Sequence, residues 1–119
     1  MNFTYGQGNL ELHQKTLSFL YENPPNSKQV VRIPTGNAPT AIAIDNVTHI
    51  VYVANALSNT VSVINGTVNT KMFDIRVGVH PTYIVLDKHS HKIYVANALS
   101  NTISVINETN NTKILDIPV

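Results

Sequence analysis

Few side chains in this sequence of 119 residues could do chemistry. Histidine and carboxylate come together at Asp87, His89 and His91, a pair of types that suits zinc or a similar divalent ion. The same three residues also read as a wet hairpin turn, and this is the reading the repeat described below favours, because His91 only repeats His49. His80, beside Pro81, stands where the preceding repeat has Ala38 and is the better candidate for touching a ligand. With Asn37, Asn59 and Asn101 it makes up the set of candidate ligand-facing residues. The absence of cysteine excludes disulfides, thiolate catalysis and cysteine-ligated zinc. No catalytic motif is present, and neither a cofactor nor a metal is expected.

Composition narrows the partners. Only 13% of residues are charged, against about 25% in ordinary domains, so little sequence is available for solvated helix faces and strands are favoured. Net charge is +1, and the lysines and arginines are scattered singly. No basic patch advertises nucleic acid. No apolar run reaches the roughly 20 residues of a membrane-spanning helix. The first twenty residues lack the basic start and apolar run of a signal peptide, so an exported parent would carry its signal outside this chain.

An internal repeat decides the architecture. Tyr52-Val53-Ala54-Asn55-Ala56-Leu57-Ser58-Asn59-Thr60 recurs letter for letter from Tyr94 to Thr102, an offset of 42 residues. The same offset pairs Gly36 with Gly78, Pro39 with Pro81 and Asp45 with Asp87, without a gap. Carried back once more, it sets Leu17 to Asn23 beneath Asn59 to Asn65, and Gln29 to Ile33 beneath Lys71 to Ile75. Residues 1–36 are therefore expected to be a partial, degenerate unit, with its innermost strand largely before Met1 and a turn at Pro24-Pro25. Residues 37–78 and 79–119 are expected to be complete units.

Each complete unit divides into four apolar runs separated by turn residues. In the middle unit the strands are expected at Thr40–Asp45, His49–Asn55, Thr60–Asn65 and Thr70–Val77. Ile50 to Ala54 is apolar on both alternating faces, as a sheet buried between two other sheets requires. The fourth run mixes Lys71, Asp74 and Arg76 with apolar residues, which suits an exposed rim. A period of about 40 to 45 residues made of four strands is that of β-propeller blades. The fold class expected is thus all-β, a propeller fragment of four-stranded antiparallel blades.

Tyr-Val-Ala-Asn at 52–55 and 94–97, with the following Asn-Thr-(Val/Ile)-Ser-Val-Ile run, resembles the signature of the YVTN β-propeller repeat, departing from it at Ala54 and Ala96. That resemblance implies a surface-layer or cell-surface type of protein, and it implies a fold more than a reaction.

Antiparallel order assigns the loops to two faces. One face carries Gly36 to Pro39, Gly78 to Pro81, Ala56 to Asn59 and Ala98 to Asn101. The opposite face carries the turns at Asn46 to Thr48 and Lys88 to His91, and those after Asn65 and Asn107. Asn-x-Thr sequons, the acceptor pattern for N-glycosylation, place possible sugars at Asn46, Asn65, Asn107 and Asn110 on this second face. Residues present in both complete units are expected to hold the blade: Tyr52 and Tyr94, Asn55 and Asn97 bonding loop backbone, Asp45 and Asp87 capping turns.

The function expected is a non-enzymatic interaction module, extracellular or at the cell surface, offering a rigid face to a protein or glycan. One alternative is a fragment of a propeller enzyme, lactonase-like or lyase-like, with its catalytic groups in other blades. The other is a structural spacer in a surface coat. Fewer than three blades cannot close a ring of roughly four to eight, so further blades in a parent chain or association of copies is required.

Overall fold

The structure, a computed structural model, describes residues 2–5, 8–22 and 28–119. Every regular element among them is a strand: β1 (Asn2–Tyr5), β2 (Gly8–Leu12), β3 (Thr16–Glu22), β4 (Lys28–Pro34), β5 (Pro39–Asp45), β6 (Ile50–Asn55), β7 (Thr60–Asn65), β8 (Thr70–Arg76), β9 (Pro81–Asp87), β10 (Lys92–Asn97), β11 (Thr102–Asn107) and β12 (Thr112–Pro118). They form three four-stranded sheets, β1 to β4, β5 to β8 and β9 to β12. Each is a simple antiparallel meander. No helix of the described residues is long and apolar enough to cross a membrane.

Turn geometry explains why the chain reverses where it does. Among the described residues eight other than glycine have positive φ, and they fall into pairs one repeat apart: Ala38 and His80, His49 and His91, Asn59 and Asn101, Asn69 and Asn111. Each immediately precedes a strand. Asparagine and histidine are enriched in this left-handed region, which gives His49, His80 and His91 a backbone reason to be where they are. Ala38, with φ of 52°, has no such excuse.

The sheets stack through their faces. In the middle blade alternate residues point to opposite neighbours. Val51, Val53 and Ile64 pack against Leu10, Leu12, Leu17 and Ile33 of the first blade. Tyr52, Val61, Val63 and Ile75 pack against Ile84, Ile93, Val95 and Ile106 of the third. A sheet with two apolar faces is thus buried on both. The outer face of the third blade repeats the composition of the buried second seam but is open, with Tyr83 64% exposed and Val85, Leu115 and Ile117 also exposed.

The first blade departs from expectation in two ways. Its innermost strand is present as β1, four residues long against seven in β5 and β9, so the first sheet has four strands like the other two. The ungapped register also fails at β3. Leu12 pairs with Leu17 as Ala54 pairs with Val61, and Leu10 with Phe19 as Tyr52 with Val63. The third strand therefore sits two residues away from where the 42-residue offset sets it, because only His13 to Lys15 separate Leu12 from Thr16. The proposed Pro24-Pro25 turn lies outside the described residues.

Candidate functional site

The polar residues shared by the complete blades form a chain across three strands. Asn55 Nδ2 donates to Thr60 Oγ1 at 3.1 Å and to Ser62 Oγ at 2.9 Å, Ser62 Oγ donates to Asp74 Oδ1 at 2.6 Å, and Lys71 Nζ reaches Asp74 Oδ2 at 2.9 Å. In the third blade Asn97, Thr102, Ser104, Asp116 and Lys113 repeat it at 3.1, 2.9, 2.6 and 2.7 Å. Lys113 and Ser104 hold the Asp116 carboxyl below its ordinary range. The partners of both asparagines here are side-chain hydroxyls, not the loop backbone, and each Oδ1 is buried without a donor. Gly36 and Gly78 close over these amides: a Cβ on Gly36 would lie 2.8 Å from Asn55 Cγ, and one on Gly78 would lie 2.6 Å from Asn97 Nδ2.

The aspartates at the strand ends sit in the turns that follow. Asp45 Oδ1 accepts the N–H groups of Val47 and Thr48 at 2.8 and 3.2 Å. Asp87 Oδ1 accepts those of His89 and Ser90 at 3.0 and 3.4 Å, and Ser90 Oγ donates to Oδ2 at 2.7 Å. Hydrogen bonds from the Ser90 side chain and backbone hold Asp87 below its ordinary range. Among the described residues no three histidine, aspartate or glutamate side chains converge as a metal site would require. His91 Nδ1 turns instead toward Glu108 Oε1, 3.4 Å away.

On the first loop face the structure separates the four candidates. Asn59 Oδ1 accepts the His80 N–H at 2.9 Å, which ties the second blade to the third. Its counterpart Asn101 is exposed. At the first seam the Gln14 carbonyl, on the shortened loop, accepts from Ala38 at 2.9 Å and does the work of the Asn59 amide. Asn37 is exposed; its N–H donates to Ser58 Oγ at 2.7 Å. It lines a shallow cavity of about 370 Å³ with Gln14, Lys15, Ala38 and Leu57. Between these polar groups the repeated Leu57 and Leu99 stand 67% and 69% exposed, with Val79 exposed beside Leu99. The sequence holds no carboxylate in any of this face's loops.

The second face holds the sequons. Asn46 and Asn110 are exposed, whereas Asn65 and Asn107 are half-buried. The Oδ1 atoms of Asn65 and Asn107 accept the N–H groups of Thr67 and Thr109, each at 2.9 Å. Asn110 Oδ1 accepts the Thr112 hydroxyl at 2.6 Å. Sequence reasoning passed over three residues. Leu57 and Leu99 carry the same residue at the same place in both complete blades, yet both are exposed to solvent. Glu108 stands where the preceding blade has Gly66, a difference that the repeat itself displays.

Comparison with known proteins agrees with this geometry. The chain superimposes on Kuenenia stuttgartiensis hydrazine synthase with a TM-score of 0.84 at 24% identity, over 96% of this chain and 33% of that one. It superimposes on Citrobacter koseri AztD with a TM-score of 0.72 at 19% identity, over 96% and 33%. A functionally unknown protein from Desulfotomaculum acetoxidans matches with a TM-score of 0.63 at 18% identity, over 94% and 39%. The chain thus spans about a third of the length of the solved structures it resembles, and these likenesses concern the fold. No curated protein sequence matches it. Residues 27–115 match the family described as YNCE-like beta-propeller, and the chain belongs to that family.

Proposed function

We propose that this chain is a non-enzymatic propeller module that presents the face of Asn37, Leu57, His80 and Leu99 to a protein or glycan outside the cell or at its surface. The observation that carries this reading is the contrast between acids and loops. Asp45, Asp74, Asp87 and Asp116 all make hydrogen bonds within their own blades, while the first loop face exposes two leucines at repeated positions. Isolated exposed apolar residues are ordinary. The same residue exposed at the same place in successive blades is the pattern a binding surface leaves.

The resemblance to YVTN repeats and the sequons on the opposite face support an exported parent, with sugars at Asn46 and Asn110 directed away from the binding face. The open flank of the third blade calls for a further blade of a parent chain or a second copy, because its residues match those that the second seam buries. The test is binding of the chain to a glycan array and to intact cells. A Leu57→Asp/Leu99→Asp variant is compared with a Val47→Asp/Val68→Asp variant on the opposite face. Loss confined to the leucine pair supports the reading, and binding unchanged in that pair contradicts it.

A further inference from the structure

The seam between the second and third blades carries a group that neither the repeat nor the loop face uses. Glu108 opens the β11–β12 turn. Its N–H bonds His91 O at 2.9 Å just as that of Gly66 bonds His49 O at 2.7 Å, so the backbone does not need the side chain. That side chain is nevertheless buried, with the residue 8% exposed. Oε1 lies 3.4 Å from His91 Nδ1. Oε2 is buried with no hydrogen-bond donor among the described residues.

Across the seam Glu108 meets the carboxyl of Asp45, which is also buried and whose Oδ1 already takes two backbone N–H groups. Tyr52 does not relieve the pair, because its hydroxyl donates to Asn111 Oδ1 at 2.7 Å. Two adjoining carboxylates in a buried site do not both ionise. A proton between them turns repulsion into a charge-assisted hydrogen bond and gives Oε2 its missing partner. A cation could bridge the same gap, but among the described residues no three histidine, aspartate or glutamate side chains are arranged to hold one.

We infer that Glu108 and Asp45 share one proton across the seam between the second and third blades, and that losing it as pH rises loosens this seam. The individual groups divide accordingly. Burial first, then Asp45, pushes Glu108 above its ordinary value, against the pull of His91. Burial would raise Asp45 too, but the bond with Glu108, the Val47 and Thr48 N–H groups and nearby Lys88 outweigh it and hold Asp45 low. Glu108 therefore carries the proton. Burial, then Glu108 and Asp45, raise the Tyr52 phenol, which stays protonated throughout. A carboxyl raised on folding contributes fully below the ordinary glutamate value, and its contribution is lost as pH climbs through the raised one. Asp45, held low, adds a second loss only in strong acid.

The experiment is a carboxyl-carbon NMR titration of the full chain, joined to thermal unfolding from mildly acid to mildly alkaline pH. Expected are a Glu108 midpoint above the ordinary glutamate range, with a matching inflection at Asp45, and an unfolding temperature that falls across that midpoint. In Glu108→Gln, whose amide can donate to Asp45 without titrating, the fall should vanish. A Glu108 midpoint in the ordinary range, or equal pH dependence in both proteins, overturns the inference. So does rescue of the wild type at alkaline pH by added calcium, which would make the bridging group a cation. Should Glu108→Gln fail to fold, the wild-type titration alone decides.

Discussion

Tyr52–Thr60 and Tyr94–Thr102 are the same nine residues, yet they live in different surroundings. Tyr52 is fully buried in the second seam with its hydroxyl on Asn111, whereas Tyr94 is half-buried on the open flank of the third blade. Inside the blades the two copies are closely alike: the asparagine, serine, aspartate and lysine chain has nearly the same distances in both, and the third blade adds a contact between the Ser100 and Thr102 hydroxyls at 2.9 Å. What differs is the neighbour. A blade is thus a local object held by its own turns and polar chain, and the propeller is a sum of seams between such objects.

This contrast is sharpest for side chains that belong to a seam. Tyr52→Ala should cost about 3 to 5 kcal/mol, the usual loss for a large buried aromatic, and Tyr94→Ala only about 1 kcal/mol, both read by urea unfolding of the monomeric chain. Equal costs would break the comparison. Substitutions internal to a blade should behave in the opposite way. Gly36→Ala and Gly78→Ala both push a Cβ into a buried asparagine amide and should each cost about 1 to 3 kcal/mol, with little difference between blades.

Smaller effects refine the same picture. Tyr52→Phe removes the bond to Asn111 across the seam and should cost about 1 kcal/mol, while Tyr94→Phe should leave the unfolding midpoint almost unchanged. Ala38→Gly should raise stability by about 1 kcal/mol at most, since it relieves a left-handed alanine. Its partner position one repeat later already carries a histidine, which tolerates that geometry better.

Much of this architecture was legible because the repeat is nearly exact. Two-sided apolar runs such as Ile50 to Ala54 gave the strands within a residue of their observed limits, and the antiparallel order followed from turn residues. The first blade was harder to read. A loop shortened to His13, Gln14 and Lys15 shifts β3 by two residues, and a gap-free offset cannot register a deletion that two extra residues between Leu17 and Ile33 conceal. His13 and Arg32 replace the residues that in the second blade are Asn55 and Asp74, so among the described residues the polar chain has no counterpart there and Ser18 Oγ is buried without a partner. The candidate site was less legible still. Asn59, a candidate for facing a ligand, also ties the blades together: its Oδ1 accepts the backbone N–H of His80, because an amide in the left-handed region can reach the next blade. No residue pattern within one repeat announces a contact made between two.

Identical sequence in two settings also permits a measurement free of intrinsic chemical differences. Amide hydrogen exchange of β6 and β10, resolved residue by residue by NMR in dilute monomeric protein, compares at Tyr52 to Asn55 and Tyr94 to Asn97 backbone groups with the same side chains, each paired on both sides within its own sheet. Stacking of apolar faces predicts markedly slower exchange in β6 than in β10. Equal protection of the two strands in a confirmed monomer, or slower exchange in β10, would contradict it.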